Sequence, residues 1–331
     1  NGRMDLLQAE AVGDLIDATA TAQARVALHQ LDGGLSRRLA QLRDALLDTE
    51  ALLGYDIDFP EEDDGPVSAA RIAGRMEELQ ARVGQLLATA PAGERLRAGA
   101  LVVLAGPPNV GKSSLFNALL GSERAIVTAT PGTTRDAIEA HTEFLGWPIR
   151  LVDTAGLRDG EDEAERLGVG FSRRYVEAAD VVVRCEPLGG EAGKRGGPVD
   201  PLLTGDRAVV ALTKSDLGSS PRPRFPATGI PTSALTGDGL AGLKEAVVRR
   251  VFGGAASLED LEQGLTRERH RHALARARDA LQAALPQLEG GEPVLAAHHL
   301  REAARALEEL IGAVDVEEVL GRVFESFCVG K

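Results

Sequence analysis

The apolar positions of this chain change period twice. From residue 5 to residue 53 they recur at helical spacing: Val12, Leu15, Ile16 and Thr19 share one face, and Leu35, Leu39, Leu42 and Leu46 share another. Gly33-Gly34 is a point where this stretch can kink or break. Asp56 to Pro66 is acidic and carries Pro and Gly, which predicts a loop. A second helix follows, with Ile72, Met76, Leu79 and Val83 spaced by four, three and four, and Pro91-Ala92-Gly93 is expected to end it. From Gly99 onward short β-branched runs alternate with helical stretches. The expected strands are Leu101–Ala105, His141–Leu145, Ile149–Asp153, Asp180–Cys185 and Ala208–Thr213, with Gly146-Trp147-Pro148 as the turn between the second and third. Gly189 to Pro201 is Gly-rich and is expected to be a mobile loop.

Near Gly253-Gly254 the helical period returns: Leu300, Ala304, Leu307 and Ile311, then Val316, Leu320, Val323 and Phe327. None of these helices has an apolar face that its immediate neighbour could fully cover. The helices before residue 95 are therefore expected to pack on those after residue 258. The expected fold is an α/β P-loop domain, a doubly wound and mostly parallel sheet over 98–254, inserted into an all-α helical domain formed by 1–97 and 255–331.

Composition narrows this picture. The chain has 331 residues, enough for two domains, and its 44% hydrophobic and 26% charged content is that of a soluble globular protein. Aromatics are only 3%, so the cores must be aliphatic. Fifty acidic against 37 basic residues give a net charge of −13, which argues against a surface coated for non-specific nucleic-acid binding. The two cysteines, Cys185 and Cys328, exclude a disulfide framework and point to a reducing compartment, the cytoplasm. No apolar run of membrane-spanning length and no signal peptide is found, so no membrane partner is expected. Because the chain starts with Asn1, it is expected to be a fragment of something longer.

The chemistry begins at Val102 to Leu115, where a β-branched run leads into Gly106-x-x-x-x-Gly111-Lys112-Ser113 and then a helix. In that context the glycines let backbone N–H groups turn onto a phosphate, Lys112 reaches the β- and γ-phosphates, and the Ser113 hydroxyl holds Mg²⁺. Four further signals follow in order. Gly132-Thr133-Thr134-Arg135-Asp136 offers a threonine hydroxyl to Mg²⁺ when a γ-phosphate is present. Asp153-Thr154-Ala155-Gly156 ends a strand with a carboxylate for Mg²⁺-bound water and a Gly156 N–H for the γ-phosphate. Thr213-Lys214-Ser215-Asp216 brings the Asp216 carboxylate to N1–H and the exocyclic amine of guanine, which adenine lacks. Ser233-Ala234-Leu235 can supply a backbone N–H to guanine O6. The nucleotide site is thus expected to use Asn109, Val110, Gly111, Lys112, Ser113, Ser114, Thr128, Thr133, Thr134, Asp153, Thr154, Ala155, Gly156, Thr213, Lys214, Asp216, Ser233 and Ala234.

These residues carry a resemblance. Gly-x-Pro-Asn-Val-Gly-Lys-Ser with Ala125-Ile-Val-Thr and Gly132-Thr-Thr-Arg-Asp resembles the translation-factor-related GTPases, and among them the MnmE (TrmE) family of tRNA-modification GTPases. The inserted G domain, the C-terminal Phe327-Cys328-Val329-Gly330-Lys331 and the start Asn1-Gly2-Arg3-Met4-Asp5-Leu6 all match that family's pattern, and the resemblance spans the whole chain. The family also has an N-terminal domain that dimerises and binds a folate, which this sequence lacks.

Leu157 stands where Ras-type GTPases place a water-positioning Gln, and no arginine finger is evident. The resemblance implies two substitutes. K⁺ would be held by Asn109, Thr128, Thr130 and Thr133, in place of an arginine finger's charge, with binding coupled to dimerisation of the G domains. Glu165 would orient the attacking water, although by itself it reads as a solvated residue of the acidic run Asp159–Glu165. Asn109 alone would read as a loop cap. Cys328 alone would read as core filler; the family match gives it a role in the modification site. Arg3 and Lys331 match positions that contact a tetrahydrofolate derivative.

The implied activity is GTP hydrolysis to GDP and phosphate. It would serve carboxymethylaminomethyl modification of tRNA wobble uridine, with the flavin-dependent MnmG/GidA protein as partner. Thr213 departs from the asparagine that usually opens the base-reading motif, so guanine preference is expected to survive through Asp216 with weaker affinity. Two other readings stay open: a ribosome-assembly GTPase switch without a modification role, and an interaction scaffold with slow turnover. Thr266 to Arg278 is a basic cluster that could meet tRNA phosphates, or form a solvated helix face.

Overall fold

The structure, a computed structural model, describes residues 4–58, 68–121, 126–127, 138–154, 173–188, 203–218, 229–253 and 257–311. Their contacts divide the chain into two compact units: a helical one of 1–17, 24–97 and 255–331, and an α/β one of 18–23 and 98–254.

Residues 6–58 hold three helices rather than one: α1 (Leu6–Ile16), α2 (Thr21–Leu31) and α3 (Gly34–Asp58). Asp5 caps α1 by accepting from Gln8 N–H at 2.8 Å, while the Gln8 side chain accepts from Asp5 N–H at 3.1 Å. The face expected for Val12 to Thr19 is interrupted, because α1 stops at Ile16, which is 78% exposed. Leu35, Leu39, Leu42 and Leu46 are all buried on α3.

Helix α4 (Ala69–Ala98) buries Ile72, Met76, Leu79 and Val83 and runs through Pro91 instead of ending there. Pro91 forfeits one helical hydrogen bond, but burial of Ala90, Ala92 and Leu96 outweighs that loss. Gly93 also has a packing role: a Cβ there would lie 2.0 Å from the Leu265 carbonyl oxygen. Nearby, Thr89 Oγ1 donates to Leu86 O at 2.7 Å and accepts from Leu265 N–H at 3.0 Å.

In the α/β unit, β1 (Ala100–Ala105) is central and buried along its whole length. The strands β2 (Ile126–Val127), β3 (Ile138–Phe144), β4 (Trp147–Asp153), β5 (Val181–Pro187), β6 (Ala208–Thr213) and β7 (Ile230–Pro231) complete a seven-stranded sheet in the order β2-β3-β4-β1-β5-β6-β7. Only the β2–β3 and β3–β4 pairs are antiparallel; the others run parallel. Near-continuous burial of β1, β4 and β5 fits a sheet covered on both faces. Helix α5 (Lys112–Leu120) follows β1, and α6 (Leu240–Phe252) follows β7. Trp147 stacks on Phe252 with ring centroids 4.3 Å apart.

The helical unit is completed by α7 (Leu258–Glu262), α8 (Glu268–Glu289) and α9 (Pro293–Ile311). Its core joins Leu35, Leu39, Leu42, Leu46, Met76 and Leu79 to Leu274, Leu281, Leu300 and Leu307. Helices early and late in the sequence thus share one aliphatic core. The basic cluster 266–278 is largely neutralised within this unit: Arg267 pairs with Asp14 at 2.8 Å, Arg269 with Glu10 at 2.7 Å, Arg271 with Glu94 at 2.8 Å, Arg276 with Glu309, and Arg278 with Asp279 at 2.8 Å. The Gly189–Pro201 loop and the 316–327 helix lie outside the described residues.

Candidate functional site

The site lies where the parallel strands β1, β4 and β6 end and the following loops turn over the sheet. At the end of β1 the backbone swings away through Gly106, at φ 150°. A Cβ on Gly106 would sit 2.5 Å from the Cys185 carbonyl oxygen on the next strand, so no other residue fits without displacing β5. The loop passes Asn109, with φ 60°, and enters α5 at Gly111, with φ 99°. Its N–H groups and the positive end of α5 make the anion cradle. Lys112 is buried, and its Nζ donates to Gly106 O at 3.1 Å and Pro107 O at 2.9 Å. That fixes the ammonium over the loop. Ser113 and Ser114 follow, exposed, in the first turn of α5.

Asp153 closes β4 and is 1% exposed. Its neighbour Thr154 donates from Oγ1 to Leu104 O at 2.8 Å, tying the end of β4 to β1. The Ser113 hydroxyl and the Asp153 carboxylate are hard oxygen donors, the chemistry Mg²⁺ takes. Of the four donors implied for K⁺, Asn109 alone is described; it is exposed at the loop tip and carries an amide oxygen, also a suitable hard donor. Among the described residues no group of three or more His, Cys, Asp or Glu gathers as a metal cluster.

The base-reading segment is tied to the phosphate loop by two hydrogen bonds. Thr213 Oγ1 donates to Val110 O at 2.6 Å, with a longer 3.1 Å approach to Glu186 O. Lys214, at φ 60°, donates from Nζ to Asn109 O at 2.8 Å. The Thr213 hydroxyl therefore bonds to the phosphate loop. One hydroxyl proton serves two carbonyls, where an asparagine amide has two protons to offer.

Asp216 is positioned from the next loop. Ser233, fully buried, donates from Oγ to Asp216 Oδ1 at 2.6 Å, and accepts from Leu235 N–H at 3.2 Å and Thr236 N–H at 3.1 Å. One Asp216 oxygen is held by that hydroxyl, which orients the carboxylate. Thr213, Lys214, Asp216, Gly111, Ser114 and Ala234 border a cavity of about 360 Å³. Leu217 and Leu235, 76% and 83% exposed, line it too and offer apolar surface to a flat base. Leu217 was not anticipated from the sequence; the signal was an apolar residue directly after the acidic one.

Cys185 is buried in β5, and burial pushes its thiol up to about 12. It is a small core residue. The remaining expected site residues, Arg3, Thr128, Thr130, Thr133, Thr134, Ala155, Gly156, Glu165, Cys328 and Lys331, lie outside the described residues.

A family model for the MnmE helical domain matches residues 6–328. The tRNA modification GTPase MnmE of Methylorubrum populi is 44% identical over 336 residues, covering 100% of this chain and 72% of the relative. The protein of the same name from Thermus thermophilus is also 44% identical, with the same coverage. A solved G domain of the FeoB iron transporter of T. maritima is 29% identical and covers 46% of this chain and 98% of its own, with a TM-score of 0.36. With the helical-domain match running nearly end to end and relatives 44% identical over the whole chain, the chain belongs to the MnmE family of tRNA modification GTPases.

Proposed function

We propose that this chain hydrolyses GTP to GDP and phosphate in a potassium-stimulated, dimerisation-activated G domain. The hydrolysis drives carboxymethylaminomethyl modification of tRNA wobble uridine together with a flavoprotein partner of the MnmG/GidA kind. The observation that carries the nucleotide part is the double tie between base-reading segment and phosphate loop, Thr213 to Val110 and Lys214 to Asn109, beside a cavity with Asp216 on its wall. Because of it, the distance between base and phosphate recognition is set by the protein rather than by the ligand. Family membership supports the tRNA part.

In this reading the domains are 1–97, 98–254 and 255–331. Asp216 accepts from N1–H and the exocyclic amine of guanine. Gly111, Lys112 and the N–H groups around Asn109 and Val110 hold the phosphates. Lys112 keeps its ammonium where negative charge develops between the β- and γ-phosphates. Ser113, Thr134 and Asp153 supply oxygen donors for Mg²⁺, and Asn109, Thr128, Thr130 and Thr133 for K⁺. When bound, the two cations supply positive charge to the phosphate oxygens. Glu165 holds the attacking water in line. Arg3, Lys331 and Cys328 belong to a folate and modification site completed by a dimerising domain. The chain works in the cytoplasm; no helix among the described residues is long and apolar enough to cross a membrane.

The test is GTP turnover in equimolar KCl and NaCl. Turnover is expected to rise with K⁺ and stay low in Na⁺, and Glu165→Ala should abolish it while leaving GDP binding intact. Equal rates in the two salts would refute the potassium role; unchanged turnover in Glu165→Ala would remove that residue from the chemistry.

A further inference from the structure

The helical unit holds a cavity of about 390 Å³ lined by Arg37, Arg38, Gln41, Arg82, Gln85 and Gln263. Its arginines differ from the ion-paired arginines of that unit. Arg25 pairs with Glu262 at 2.5 Å, Arg97 with Asp14 at 2.9 Å, and Arg301 with Glu50, and the 266–278 cluster is paired as described. Arg37, by contrast, donates to the Asp32 carbonyl at 2.6 Å, and Arg38 to the Gln263 carbonyl at 3.4 Å. Arg82, half-buried, makes no hydrogen bond or ion pair among the described residues. The acid acting on Arg38 is Asp260, whose Oδ2 accepts from both Ser257 N–H and Ser257 Oγ at 2.9 and 2.8 Å. Burial and the charge of Arg82 both pull the Arg38 pKa below its ordinary value, against the pull of Asp260.

Three guanidinium groups thus converge on one cleft, in a chain of net charge −13, without a carboxylate between them. Gly34, the first residue of α3, also borders the cleft and adds the positive end of a 25-residue helix. Guanidinium forks match phosphate oxygens two at a time, and the three glutamine amides can both donate to phosphate and accept from a hydroxyl. The lining carries no aromatic side chain on which a base could stack.

We propose that this cleft binds the sugar–phosphate backbone of an RNA, taking a phosphate between Arg37, Arg38 and Arg82. It reads backbone rather than bases, so it positions the RNA without selecting its sequence. The proposal rests on the tRNA-modification reading and names the surface of the helical unit that meets the RNA.

The test measures binding of an unmodified tRNA transcript to the full chain between 50 and 300 mM salt. The triple variant Arg37→Gln/Arg38→Gln/Arg82→Gln should lose affinity and flatten the log–log salt slope by about one unit, roughly 0.7–0.9 for the one phosphate left without its arginines. Arg276→Gln/Arg278→Gln, which removes paired arginines of the basic cluster, should leave the slope unchanged. Ultraviolet cross-linking on the unaltered protein should place tRNA on peptides 34–42 and 82–85, a readout independent of how the variants fold. Equal affinity and slope in the triple variant, or cross-links confined to other peptides, would overturn the proposal. So would binding of inorganic pyrophosphate that the triple variant abolishes while tRNA binding stays intact, which would make the cleft a small-phosphate site. GTP turnover in KCl against NaCl, without RNA, should be the same in all variants. Failure of the cleft is thereby separate from failure of the functional reading.

Discussion

Both units bury polar side chains, and they use them differently. In the helical unit several buried polar groups bond within the unit: Gln30 donates to Gly264 O, Thr49 to Ala45 O, Glu50 meets Arg301, and His270 meets Glu10 through Nε2, its Nδ1 having no partner among the described residues. In the α/β unit, Lys112, Asp153, Thr154, Thr213 and Ser233 are buried in a row where the parallel strands end and the loops begin. Their hydrogen bonds run to the phosphate loop, to a neighbouring strand and to the Asp216 carboxylate. Polarity that closes on its own helices holds a fold. Polarity gathered at one end of a sheet, tied to a loop that cradles anions, makes a site.

That contrast can be broken by substitution. Lys112→Met keeps the buried stem and removes the charge; it should lower GTP turnover by at least about 10²–10³-fold, judged by the loss of one preorganised electrostatic group, with little change in Tm. Steady-state kinetics beside a thermal melt checks both. Leu39→Ala should do the reverse. It opens a cavity in the helical core and should cost about 2–5 kcal/mol of stability, seen in denaturant titration, while GTP turnover per folded molecule holds. Thr213→Val removes the donor to Val110 O and leaves a buried carbonyl unpaired, a loss of about 1–3 kcal/mol that should appear as weaker GDP binding in calorimetry. Thr213→Asn, with two amide protons, should bind GDP at least as tightly as the parent chain.

A pH titration sharpens the other side. Burial pushes the Glu10 carboxyl up, but the bonds from Arg269 and His270 outweigh it and hold Glu10 below its ordinary value. Burial lowers the His270 pKa, with Glu10 acting in the opposite direction. A depressed carboxyl contributes stability above its unfolded pKa and loses it as pH falls through the folded one. A depressed histidine likewise weakens the fold as pH drops below its ordinary 6.5, because only the unfolded chain then takes up the proton. Both groups act in one direction: chemical denaturation of the helical unit should need less denaturant as pH falls from about 6.5 toward the carboxylate range, and His270→Gln should blunt the upper part of that decline. The smallest effect is at Cys185, whose thiol at about 12 should stay unalkylated in the native protein at neutral pH.

Four of the parallel strands were legible because each is a short β-branched run, while the two-residue β7 was missed; Ala208–Thr213 has the boundaries the pattern implies, and in the antiparallel hairpin Trp147 and Pro148, expected in the turn, begin β4. The leucine faces of α3 and α4 were legible for the same reason. Helix ends were not. Pro91 reads locally as a stop, yet the Leu265 backbone packed on Gly93 and the Thr89 bond keep the helix going, and neither is visible within α4's own sequence. Nor does sequence show the direction of Thr213: its hydroxyl faces Val110, 103 positions back in the chain. The paired basic cluster and the open arginine cleft also look alike in one dimension, since the carboxylates that pair the cluster's Arg269 and Arg271 come from distant helices.

The central claim is that Asp216, oriented by Ser233 and tied through Thr213 and Lys214 to the phosphate loop, selects guanine. The direct measurement is turnover of GTP and of xanthosine triphosphate by the parent chain and by Asp216→Asn. Asparagine would present an amide to a ring that carries a carbonyl where guanine has its amine, so the variant should prefer the xanthine nucleotide while the parent prefers GTP. A variant that still turned over GTP with the parent's kcat/KM, and ignored the xanthine nucleotide, would contradict it.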